Sequence, residues 1–214
     1  MNQVISEAFY SFVTLLAMVN PVEAAAAFAT LTSGRSPANQ ARIALRAAVV
    51  GLGILLAFGY VGEALLKAIG VSLASFKVAG GLLLLKVGFD MVFAQRTSSD
   101  AAESEKSLPS PTSDPSVFPL AIPIISGPGA LTASVALVNR AHENQVLTDL
   151  AFVLIAAIVF AITYLAMRGS QRLTRVLGKT GVDATGRLVG IIVAAIAVQL
   201  IVDGVSPIAR GLFH

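Results

Sequence analysis

Asn20, Pro21 and Glu23 stand near the middle of an otherwise apolar run, residues 15–32 (LLAMVNPVEAAAAFATLT). A second apolar run, residues 118–138, is interrupted at the same relative place by Ser126-Gly127-Pro128-Gly129. Charge and broken backbone hydrogen bonds are expensive in hydrocarbon, so such residues inside a membrane span call for a reason. Proline lacks an N–H and fits the first turn of a helix. Asn20 precedes Pro21 as an N-cap would, and Gly127 frees the backbone before Pro128. Residues 21–30 and 128–138 are therefore expected to be half-helices whose N-termini open inside the membrane. Free N–H groups and the positive dipole end would there receive an anion such as a carboxylate.

The surroundings, Ala24 to Ala27 and Gly129-Ala130, leave room for a small molecule only. The substrate-binding candidates are thus Asn20, Pro21, Glu23, Ser126, Gly127, Pro128, Gly129 and Thr132, with Thr14, Thr32 and Ser134 as further hydroxyl donors. Glu23 has three readings: a protonated carboxyl bonded to a neighbouring helix, a coupling carboxylate, or the partner of a substrate ammonium. Asp90 is the second candidate for ion coupling, with protons or sodium as the ion. Each break also has a plainer reading, a proline kink whose freed carbonyl is satisfied by neighbours. Two breaks in equivalent positions weigh against it.

The elements that must carry these residues follow from composition. Among 214 residues, 56% are hydrophobic and 13% charged, with a mean hydropathy of +0.81. A soluble domain carries about 25% charged residues, so this chain belongs in a bilayer. Its 18 glycines suit closely packed membrane helices. The net charge of +3, with no basic-aromatic platform, excludes nucleic acid as a partner. The absence of cysteine excludes thiol catalysis and disulfides, and His142 and His214 alone make no metal site. No HExxH, GxSxG or paired-aspartate arrangement appears, and Asp90 and Asp203 sit in dissimilar contexts, so no enzyme and no cofactor are expected. The start, MNQVISEAF, lacks a basic leader region and reads as part of a retained first span.

Six apolar segments of spanning length are expected, at 6–30, 47–68, 71–93, 117–138, 147–167 and 184–205. Glu63–Lys67 and Lys86–Asp90 are spaced i,i+4 and read as interfacial pairs. Lys77 reads as snorkelling outward, and Gly80-Gly81 as a close-packing notch. Residues 95–116, rich in Ser, Pro and acidic residues, form a flexible cytoplasmic linker between residues 1–94 and 117–214. Laying Gly70 on Gly181, Val78 on Val189 and Pro21 on Pro128 gives a weak internal repeat. The expected fold is an all-α polytopic membrane protein with six transmembrane helices, arranged as two inverted three-helix repeats with helices 1 and 4 broken. Arg35, Arg42 and Arg46 in one loop, and Arg168, Arg172, Arg175, Lys179 and Arg187 in another, place those loops in the cytoplasm and both termini in the periplasm.

Asn20-Pro21 followed by FATLT, FKVAGGLLLL at 76–85, Gly88-Phe89-Asp90-Met91 and PLAIPIISGPGALT at 119–132 together carry a family resemblance. The chain resembles the MarC family of six-span inner-membrane proteins, which includes the SnatA transporters of small neutral amino acids. The resemblance implies transport of a small zwitterion such as alanine, glycine or serine, with Asn20-Pro21 and Gly127-Pro128-Gly129 as the family's two signature segments. Glu23 departs from the family, which commonly has a small residue there. Efflux of larger drug-like compounds would want an aromatic-lined cavity, against which the Ala- and Gly-rich breaks and the absence of Trp both count. A non-transporting scaffold is the other alternative.

Overall fold

A computed structural model describes residues 2–93, 114–139 and 145–212. Helix α1 (Asn2–Val19) and helix α2 (Pro21–Leu31) follow one another through Asn20, which takes left-handed backbone angles (φ 45°, ψ 75°). Asparagine is one of the few residues besides glycine that enter this region. One residue therefore suffices to stop one helix and start the next. Helix α3 (Pro37–Ala68) starts on the same kind of signal: the Ser36 hydroxyl accepts from the Asn39 N–H and Pro37 occupies the first turn. It begins ten residues before the apolar run at 47, because cap and proline govern a start more strongly than hydropathy does.

Helix α4 (Leu73–Phe93) precedes α5 (Ser116–Ile125), a wide π-type winding interrupted by extended residues Phe118 and Ile122. Helices α6 (Pro128–Val138), α7 (Gln145–Arg168) and α8 (Ser170–Leu212) complete the chain, with α8 turned at Gly178 (φ 61°). Of the linker placed at 95–116, only 114–116 fall among the described residues; His142 and His214 lie outside them.

The six-span expectation is corrected. Among the described residues, four helical stretches are long and apolar enough to cross a membrane: Ser6–Leu31, Pro37–Ala68, Val146–Arg168 and Asp183–Ala209. Helix α4 has the length but carries Lys77, Lys86 and Asp90 within 21 residues. The stretch at 117–138 is divided, leaving α6 with 11 residues, about 16 Å against a hydrocarbon core of about 30 Å. The architecture of two inverted three-helix repeats falls with the count. The protein is an all-α polytopic membrane protein with four long apolar helices among the described residues.

Helices α1, α2, α3 and α7 enclose the main core, with Leu15, Val19, Phe28, Leu55, Val159 and Phe160 buried and Leu120 and Ile125 of α5 inserted among them. A smaller cluster joins Ala17, Leu84 and Ala136 to Val193, Ala197 and Leu200 of α8. Helices α4 and α8 touch through glycine. A Cβ on Gly81 would lie 2.9 Å from the Ala197 carbonyl, and one on Gly204 would lie 2.6 Å from the Ala74 carbonyl. With backbone on the other side, only hydrogen fits. Leu154, Leu165, Ile191 and Val202 remain exposed on α7 and α8; in hydrocarbon such apolar faces are solvated rather than costly.

Candidate functional site

The two helix starts differ in who satisfies them. At α2, the Asn20 amide donates to the Glu23 carboxylate (2.9 Å) and its carbonyl oxygen accepts from the Glu23 N–H (3.4 Å). This reciprocal cap resembles a capping box. Glu23 is exposed and stands in the first turn, where the helix dipole favours a negative charge. The chain's own carboxylate thus occupies the positive end of α2. At α6, Gly127 precedes Pro128 in extended conformation and no side chain caps the start.

Packing fixes the rest of the α6 entrance. A Cβ on Gly129 would lie 2.2 Å from Leu84 Cδ2 and 3.5 Å from Met18 Sδ, so Leu84 of α4 closes directly on this turn. Met18 lies two residues before Asn20, which brings the neighbourhoods of the two breaks together around the sulfur. The Ser126 hydroxyl donates to the Gly51 carbonyl of α3 at 2.9 Å, tying the break to a neighbouring helix. Thr132 is buried and donates to the Pro128 carbonyl (2.9 Å); its methyl fills the notch left by Gly80, where a Cβ would lie 2.1 Å away.

Five hydroxyls stood out in the sequence, and four have partners. Thr32 donates to the Phe28 carbonyl, Ser134 to that of Leu131, and Ser126 and Thr132 as described. Thr14 has none, although it is 3% exposed. Asp90 is bonded to Lys86 at 2.6 Å near the C-terminal end of α4. Glu63 and Lys67 pair likewise at 2.7 Å. Among the described residues no group of His, Asp and Glu is placed to hold a metal. Met18, Gly51 and Leu84 were not singled out in the sequence, because apolar residues and a helical glycine carry no local signal of what they touch.

Beside this geometry stand the likenesses to known proteins. The profile of MarC family integral membrane proteins matches residues 5–209. A membrane protein of Methanocaldococcus jannaschii is 33% identical over 91% of this chain and 94% of its own length. One from Archaeoglobus fulgidus is 35% identical over 92% of each. The inner membrane protein MarC of Escherichia coli is 28% identical over 92% of this chain and 93% of its own. No solved structure matches.

Proposed function

The chain belongs to the MarC family of integral membrane proteins, and from that premise we propose that it is a secondary transporter of small neutral amino acids of the alanine, glycine and serine type. It is a membrane protein and not an enzyme. The observation that carries the reading is the pair of helix starts, at Pro21 and Pro128, inside otherwise apolar stretches. In the proposed complex the substrate carboxylate meets the uncapped start of α6, where N–H groups and dipole favour it. The ammonium meets Glu23, which holds the opposite charge at the start of α2. The buried Ala24, Ala25 and Ala130 beside these turns favour a short side chain.

A gradient of protons or sodium, or of the substrate itself, supplies the energy. The protein sits in the inner membrane, as the Escherichia coli relative's name states for that protein. Its arginine-rich segments, from Arg35 into the start of α3 and from Arg168 into the start of α8, face the cytoplasm and its termini the periplasm. Uptake of radiolabelled alanine into proteoliposomes of the purified chain tests the reading. Saturable uptake, competed by glycine and serine but not by glutamate or by bulky hydrophobic cations, is expected. Well-folded protein that moves none of the three amino acids overturns it, and saturable movement of the cations instead would make it a drug efflux protein.

A further inference from the structure

The first turns of α8 form a short helix of their own, from Ser170 to the turn at Gly178 (φ 61°, ψ −179°). Residues 168–182 include four basic residues, Arg168, Arg172, Arg175 and Lys179, and no acidic one. So much charge of one sign is too costly for hydrocarbon, and the apolar span of α8 begins only at Asp183. Within the short helix Arg172 and Arg175 recur at i, i+3, and Leu173, Val176 and Leu177 at i, i+3, i+4. Each set thus falls along its own helix face. Arg172 and Val176 are both exposed, Val176 at 82%. Among the described residues neither Arg168 nor Arg172 stands in an ion pair, whereas Arg46 of α3 is held by Asp114.

The ends of this helix fix how it lies. Its start follows directly on the span Val146–Arg168, and Ser170 is buried, so the start is packed onto the protein at the level of a span end. From Gly178 the helical residues 179–183, about 7 Å long, lead straight into the next span. The two spans meet the same face of the bilayer here. A helix from Ser170 to Leu177 measures about 12 Å, more than the short leg after Gly178 could recover if it stood upright. The segment runs along the membrane surface.

We propose that residues 170–178 are an interfacial anchor that rests on the bilayer and gathers anionic lipid headgroups, with Arg168 and Arg172 meeting their phosphates and Val176 entering the boundary between headgroups and acyl chains. Positive charge with no carboxylate to offset it, beside an apolar row, complements a surface that is anionic outside and apolar beneath. The anchor does not depend on what the protein transports.

The chain has no tryptophan, so Val176→Trp puts a single reporter into the segment, and an exposed position accepts it. The full chain is placed in nanodiscs whose phosphatidylglycerol content is raised from none upward against phosphatidylcholine. As it rises, the emission is expected to shift to the blue, to escape quenching by aqueous acrylamide and to be quenched by lipids brominated high on the acyl chain. Arg168→Gln or Arg172→Gln in that background should raise the phosphatidylglycerol fraction giving half the shift by about fivefold each. Arg172→Lys, which keeps the charge, should leave it nearly unchanged, and high salt should act as the Gln variants do. Emission that stays that of an indole in water, whatever the lipid, overturns the proposal. So does an equal blue shift in pure phosphatidylcholine that ignores the arginine variants, since the helix would then make apolar contact without recognising headgroups. A shift produced in phosphatidylcholine by inorganic phosphate would assign the arginines to a soluble anion. One that requires two chains per nanodisc would make the face a contact between copies. Either result overturns the lipid anchor.

Discussion

The start of α2 and a small cleft lined by Tyr10 and Thr14 of α1, Lys77 of α4 and Asp203 of α8 each bring a carboxylate and other polar groups into an apolar protein, and they treat those groups in opposite ways. At α2 the groups close on themselves. Asn20 and Glu23 bond each other twice. In the cleft Thr14 bonds nothing, and Lys77 and Asp203 do not pair with each other. The start of α6 falls between these extremes, with Ser126 and Thr132 bonded inward but the first turn uncapped. In a membrane protein, then, a polar residue in an apolar segment is no sign of a ligand until its internal partners have been counted. Burial without a partner separates the cleft from the α2 start, since an unmade hydrogen bond in low dielectric is costly.

That contrast depends on the helix contact that assembles the cleft, so the largest expected effect comes from breaking it. In Gly204→Leu the new Cβ meets the Ala74 carbonyl at 2.6 Å and the Val78 nitrogen at 3.1 Å, and neither backbone atom can rotate away. A loss of about 3 kcal/mol is expected, read as a lower melting temperature in detergent. Gly53→Ala is the control, because nothing lies within 4 Å of its added Cβ. It should raise stability by about 0.5–1 kcal/mol, the usual gain from removing a helical glycine. If both glycines tolerate substitution equally, α4 and α8 do not meet as described.

A smaller pair of substitutions tests the difference between satisfied and unsatisfied hydroxyls. Ser126→Ala removes the donor to the Gly51 carbonyl and should cost about 1–2 kcal/mol. Thr14→Val replaces a hydroxyl that has no partner by a methyl of similar size, so stability should hold or rise by up to about 1 kcal/mol. A lower melting temperature for Ser126→Ala and an unchanged or higher one for Thr14→Val are the expected result. A Thr14→Val protein as destabilised as Ser126→Ala would mean that the Thr14 hydroxyl has an internal partner.

Sequence reading reached the helix starts and stopped short of the cleft for one physical reason. Asn20-Pro21 and Gly127-Pro128 are local signals, a cap or free backbone followed by a residue that needs no N–H donor, and α2 and α6 begin at those prolines. Ser36-Pro37 carries the same signal, but the apolar run beginning at 47 drew the expected boundary away from it. The count of spans failed at α4 and at α5–α6, where the lysines were read as interfacial or snorkelling and the break at Ser126-Gly127 as internal to one span, so both stretches were still counted as spans. Thr14, Lys77 and Asp203 belong to three helices; no spacing along the chain relates them. What brings them together is that Gly204 admits the α4 backbone, a tertiary fact.

The smallest expected effect concerns Asp114, which lies outside the spans. Asp114 accepts from the Ser116 N–H at 3.0 Å and pairs with Arg46, tying the start of α5 to α3. Burial pushes its carboxyl upward, but the Ser116 N–H and the Arg46 guanidinium together outweigh this and hold it below the usual carboxylate value. A depressed folded-state pKa stabilises the fold above the unfolded carboxylate's pKa, and that contribution disappears as pH falls through the folded value. Between pH 7 and pH 5 the pair should therefore contribute a constant amount, and only stronger acid should remove it. Both partners are about half exposed, which limits the contribution to well under about 1 kcal/mol. Asp114→Asn should lower the melting temperature slightly at pH 7, less so in high salt, and the difference from wild type should vanish on strong acidification. A difference that persisted in strong acid would show that Asp114 acts through its hydrogen bond to Ser116, which asparagine's carbonyl can imitate only in part, and not through its charge.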